Sequence, residues 1–133
     1  MRWVMKDQRN RLVVPRNIVN TKMLYTFYTL KELSKGEVIF GNKILSAFRD
    51  AFEECSHPFP VSSSTIYETL YSLEEKGYVV SSWTGDTVLN KRSKKVYSIT
   101  DEGLYYYKTH IADYVNNIEK TKSTLDLIIK MLN

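Results

Sequence analysis

Leu104, Ile111, Ile118, Leu125 and Leu132 recur at strict sevens, and Tyr107, Tyr114, Thr121 and Ile128 follow the first four of them by three residues. This is an a/d heptad seam, the pattern of a helix that buries one stripe against another helix. It predicts one continuous helix over 101–133, roughly 50 Å long at 1.5 Å per residue, which exceeds the width of a domain of about 100 residues. Part of the seam must therefore find a second chain. The expected partner is another copy, a homodimer with Leu104, Tyr107, Ile111, Tyr114, Ile118, Leu125, Ile128 and Leu132 in its interface. The competing arrangement folds the helix back on its own domain, and the register of the pair, parallel or antiparallel, stays open. Of the consecutive Tyr105, Tyr106 and Tyr107 only the last lies on the seam, leaving the others to line a groove or to pack against the first helix.

The rest of the chain is short enough for one further unit. With 133 residues and 43% apolar content, a single core is affordable and a large multidomain enzyme is excluded. No apolar run approaches the roughly 20 residues that span a bilayer, and MRWVMKDQRN has no secretory stretch. The expectation is a soluble, cytoplasmic protein without membrane contact. Cys55 is the only cysteine, so neither an internal disulfide nor a Cys-based zinc site can form within one subunit, and it reads as a semi-buried thiol. His57 and His110 belong to no H-x-x-x-H pattern, and the chain has no Gly-rich phosphate loop or nucleophile elbow. Neither a catalytic centre nor a metal or cofactor site is expected.

Along the chain, Pro15 starts or precedes a helix in which Ile18, Met23, Leu24, Phe27, Leu30 and Leu33 recur at mixed three and four spacing, closed by Gly36. A second helix is predicted from about Phe40 to Glu54 on Ile39, Phe40, Ile44, Leu45, Phe48 and Phe52. Pro58 and Pro60 break it. Ser62, Ser63, Ser64 and Thr65 then offer N-caps for a third helix, with Thr65 and Glu68 at capping-box spacing and Gly77 at its end. Tyr78–Trp83 and Lys95–Ile99 read as a two-stranded hairpin, and Thr100 as the N-cap of the long helix, whose first turn carries Asp101 and Glu102. Helix, helix, helix, hairpin, helix is the plan of a winged helix-turn-helix: a mostly α fold with a small β wing, residues 1–100, followed by a dimerisation helix, 101–133.

Charge is concentrated in two places. The net charge is only +4, yet residues 1–22 hold six basic groups against Asp7, and 84–100 hold Lys91, Arg92, Lys94 and Lys95 against Asp86. A basic arm and a basic hairpin tip suit a polyanion, since each neutralised phosphate releases counterions. The bland alternative is a solvated face.

The run Ser64-Thr65-Ile66-Tyr67-Glu68-Thr69-Leu70-Tyr71-Ser72-Leu73-Glu74-Glu75-Lys76-Gly77-Tyr78-Val79 resembles the PadR family of bacterial transcriptional regulators. Lys91-Arg92-Ser93-Lys94-Lys95-Val96-Tyr97-Ser98-Ile99-Thr100-Asp101-Glu102-Gly103 is similar to that family's basic wing and the start of its last helix, and Phe40-Gly41-Asn42 to its Tyr-Gly-Tyr motif. The resemblance covers roughly residues 21–133. Ser64 and Glu68 stand where the family usually has Gly and Pro, and Asn42 replaces a tyrosine.

The resemblance implies a dimeric repressor that binds a double-stranded DNA operator and is relieved by a small aromatic or amphipathic effector. With Ile66, Leu70 and Leu73 turned to the core, the third helix leaves Ser63, Ser64, Thr65, Tyr67, Glu68 and Ser72 for DNA, and the resemblance makes Tyr67 the leading contact. Glu68 either accepts from a cytosine amino group or penalises wrong sites. Lys91, Arg92, Lys94 and Lys95 would hold phosphates from the wing, unless Lys95 turns back toward the body. Trp3, Tyr25, Phe27, Trp83 and Tyr107 are the aromatic candidates for an effector site. Two other functions share these residues: a winged-helix protein-interaction module without DNA binding, and a plasmid or phage regulator without an effector.

Overall fold

The computed structural model describes residues 20–36, 38–53, 62–84 and 94–133. The basic arm with Trp3 and Pro15, the proline break, Cys55 and the wing tip with Lys91 and Arg92 lie outside the described residues. The elements are α1 (Thr21–Leu33), β1 (Ile39–Phe40), α2 (Gly41–Ala51), α3 (Ser63–Glu75), β2 (Val79–Thr84), β3 (Lys94–Ile99) and α4 (Asp101–Leu132). This is the expected winged helix-turn-helix with a long C-terminal helix, and among the described residues no helix is long and apolar enough to cross a membrane.

Local chemistry sets the boundaries. Asn20, at φ 55, caps α1 by accepting from the Met23 amide at 3.3 Å, a left-handed position that Asn tolerates better than most residues. Ser62 caps α3, its Oγ accepting from the Thr65 amide at 3.3 Å. Thr65 is therefore a first-turn residue and forms no capping box with Glu68, because a better-placed hydroxyl lies three residues upstream. At the far end Tyr78 donates to the Leu73 carbonyl at 3.0 Å and Gly77 to Glu74 at 3.1 Å, a Schellman closure that places Gly77 at φ +80.

The hairpin of the sequence reading gains a third strand. Ile39 and Phe40 pair with Tyr97 and Val96, giving an antiparallel sheet ordered β1-β3-β2. Phe40 was expected to open the second helix, with Ile39 counted in its apolar run. A β-branched residue followed by an aromatic instead satisfies the free edge of β3, and α2 begins only at Gly41.

One core joins the layers. Leu30 and Leu33 of α1, Ile44 of α2, Ile66, Leu70 and Leu73 of α3, and Val79 of β2 are almost fully buried. Thr100 fastens α4 to this body: its Oγ1 accepts from the Gly103 amide at 3.0 Å and donates to the Gly77 carbonyl at 2.7 Å, while its own amide donates to the Tyr78 carbonyl at 3.0 Å. Gly103 passes so close to the Tyr78 carbonyl that a Cβ would overlap it. The end of α3 and the start of α4 are thus one hydrogen-bonded joint.

The first half of α4 packs on its own domain. Phe27, 2% exposed, lies 6.0 Å from the Tyr106 ring, 6.4 Å from Tyr107 and 5.1 Å from Tyr114. Tyr106 in turn stacks on Tyr78 at 4.6 Å. Tyr107 and Tyr114, expected from spacing at an interface with a second chain, pack on Phe27 within the protomer, where α1 offers an aromatic surface. Leu104, Ile111 and Ile118 are half-buried, whereas Leu125, Ile128 and Leu132 are exposed.

Candidate nucleic-acid interface

The buried stripe of α3 dictates which of its side chains face outward. Ile66, Leu70 and Leu73 are at most 1% exposed, so the remaining positions split between an apex and two flanks. Ser63, Ser64, Glu68, Tyr71 and Glu75 are exposed. Toward α1, Thr65, Glu68, Thr69 and Ser72 share a cleft with Thr21 and Lys22. Toward the sheet, Tyr67 and Tyr71 share a cleft with Phe40, Trp83, Lys94 and Lys95.

Tyr67 is held in a defined place. Its ring lies over Gly41, close enough that a Cβ there would come within 2.5 Å of Cε1. The junction between β1 and α2 therefore packs directly against the middle of α3. Tyr71, four residues on and absent from the candidates drawn from the sequence, is the more exposed of the two. The i, i+4 pair of tyrosines was the available signal. Hydrogen bonding to Glu75 raises the Tyr71 phenol above its usual pKa.

The electrostatic layout is uneven. The outward surface of α3 carries Glu68 and Glu75, and the positive groups sit on its flanks: Lys22 on α1, Lys94 and Lys95 on β3. Lys95 is exposed and does not turn into the body; its Nζ lies 5.8 Å from the Trp83 ring centre, while the Lys94 Nζ lies 5.5 Å from that of Phe40. Such an arrangement can attract phosphates at the margins while presenting acceptors, hydroxyls and a phenol in the middle.

The aromatic residues assigned to an effector site do not converge. Trp83 lines the sheet-side cleft, Tyr25 the α1-side cleft, and Phe27 with Tyr107 belongs to the packing of α4 on α1. Trp3 lies outside the described residues.

Solved structures share this fold. A PadR family regulator from Eggerthella lenta is 19% identical, covering 90% of this chain and 97% of that chain at a TM-score of 0.67. One from Clostridium difficile is 17% identical, covering 76% and 97% at 0.60. The Bacillus subtilis PadR solved in complex with operator DNA is 24% identical over 66% of this chain and 47% of that chain, at 0.56. No curated protein matches significantly. The profile of the transcriptional regulator PadR-like family matches residues 30–109, from the last turn of α1 through the sheet into α4, more than half of the chain. By that match the chain belongs to the PadR-like family of transcriptional regulators.

Proposed function

We propose that this protein is a dimeric, sequence-specific repressor that reads a double-stranded operator with α3 and β2–β3 and pairs through the distal part of α4. Residues 1–100 then form the reading head and 101–133 the dimerisation helix, with the first turns of α4 serving both. The observation that carries this reading is the face of α3, where hydroxyls, Tyr67, Tyr71 and Glu68 stand between lysines on α1 and β3. Ser63, Ser64, Thr65, Tyr67, Glu68 and Ser72 read base edges and adjacent phosphates; Lys91, Arg92, Lys94 and Lys95 hold the backbone. The likeness to a regulator solved on operator DNA supports it. Release by a small aromatic or amphipathic effector completes the reading, acting by changing the spacing of the two heads. Such a regulator works in the cytoplasm, where its operator is.

The test is direct. Purified protein is incubated with sheared DNA of its host, the bound fragments are recovered, and the best is titrated at several salt concentrations. Nanomolar retention of one fragment by two chains, with log affinity falling by about 0.9 per phosphate contacted for each unit of log salt, is the expected result. Replacing Lys94 and Lys95 by Ala should lower that slope by about two. Uniform weak retention overturns the repressor. The acidic apex at Glu68 and Glu75 favours one second reading, a protein-interaction module, in which the lysine replacements leave partner binding unchanged.

A further inference from the structure

The cleft between α3 and the sheet contains chemistry that backbone contact alone does not use. Its volume is about 500 Å³, the size of a small-molecule site. Trp83 is 65% exposed and Tyr71 64%, and with Tyr67 and Phe40 they form aromatic walls. Neighbouring strand residues point to opposite faces, yet both Lys94 and Lys95 line this cleft. Each ammonium rests by a ring, the Lys94 Nζ 5.5 Å from the Phe40 centre and the Lys95 Nζ 5.8 Å from that of Trp83. On the α3 wall the Glu74 carboxylate accepts from Ser81 Oγ at 2.5 Å, and the Asn42 amide stands at the start of α2. The cleft therefore offers flat rings, two cations and a carboxylate acceptor.

We propose that this cleft binds a purine nucleoside monophosphate, its base stacked on Trp83 and the tyrosines, its phosphate between Lys94 and Lys95, and its amino edge toward Glu74. A phosphate monoester carries about −1.5 to −2 charge at pH 7, which two ammonium groups match. Every base has a π-face for the rings, while a carboxylate selects a base edge that donates hydrogen bonds. Because these rings and lysines border α3, the bound nucleotide and the operator compete. That competition rests on the function proposed above, whereas nucleotide binding does not.

The two claims separate in one set of measurements. In a Trp3→Phe background Trp83 is the sole tryptophan, and its fluorescence is titrated with GMP, guanosine and inorganic phosphate in the absence of DNA. GMP should quench it with a half-saturation at least about tenfold below that of guanosine, and phosphate alone should displace GMP only at similarly higher concentration. Lys94→Ala with Lys95→Ala should bring GMP to the guanosine value, and Trp83→Leu, followed by calorimetry, should weaken GMP by about tenfold; these side chains are exposed, and an unchanged melting temperature verifies the fold. Absence of quenching, phosphate competing as well as GMP, or indifference to the lysine replacements overturns the proposal. So does a single-stranded tetranucleotide that binds more than tenfold tighter than GMP, which would assign the cleft to a nucleic-acid strand. Displacement of the operator fragment by GMP then tests the competition by itself.

Discussion

The two halves of α4 carry the same heptad pattern and have different surroundings. From Gly103 to Thr121 the seam positions are buried or half-buried, and Tyr114 is 8% exposed against Phe27. From 122 to 132 every residue is exposed, including Leu125 at 42%, Ile128 at 44% and Leu132 at 81%. Off-seam Leu127, Ile129 and Met131 are exposed as well, so the last two turns are apolar on most sides. Periodicity thus states that a stripe is to be covered, and the reach of the neighbouring element decides by what. Among the described residues, the start of α1, Asn20 and Met23, reaches as far along α4 as Asn117 and Ile118.

Phe27→Ala strikes the proximal half hardest. It removes the ring shared by three tyrosines and should destabilise the fold by about 3–5 kcal/mol, read as a lower denaturant midpoint with loss of near-UV dichroism. The distal half should respond in the opposite manner. Ile128→Asp with Leu132→Asp should leave the unfolding of an isolated protomer unchanged but raise the dissociation constant of the proposed dimer at least about a hundredfold, measured by sedimentation equilibrium. If both changes alter protomer stability equally, the distinction between the halves is wrong.

Thr100→Ala tests the joint that precedes both halves. Losing the cap to Gly103 and the bond to Gly77 should cost about 1 kcal/mol, with hydrogen exchange accelerating first at Gly103 and Leu104. Alkaline pH gives the gentlest test. Burial raises the phenols of Tyr97 and Tyr114 above 10.0, and burial followed by Glu32 does so for Tyr28. The unfolded chain then loses these protons first, so stability is complete below pH 10 and falls as pH rises through the raised values. Tyr114→Phe should flatten that fall in a pH series of melting curves.

Much of the fold follows from patterns within single elements. The stripe Ile66, Leu70 and Leu73, the Gly77 stop, the Thr100 cap and both wing strands are all local, and each is found within a residue or so of its expected place. What was misread involves pairing between distant segments: Ile39 and Phe40 form a strand because β3 is beside them, whereas the choice of Ser62 among the four caps the sequence offered is local, and with it the Thr65–Glu68 capping box is not formed. The candidate interface was partly legible for the same reason. Outward positions on α3 can be counted from its buried stripe, whereas the cleft joining Tyr71, Phe40 and Asn42 to Trp83 exists only once three separate segments meet.

Residue order alone therefore specifies the class of fold, the third helix, the charged wing and a long helix with an apolar stripe, since these depend on side-chain period and on caps within a few residues. Which tyrosines of that helix serve the protomer, which apolar turns stay bare, and which rings and lysines share a cleft depend on distances between segments far apart in the chain. Packing sets those distances, and Phe27 beneath Tyr114, with nothing comparable beneath Leu132 among the described residues, is where it does so.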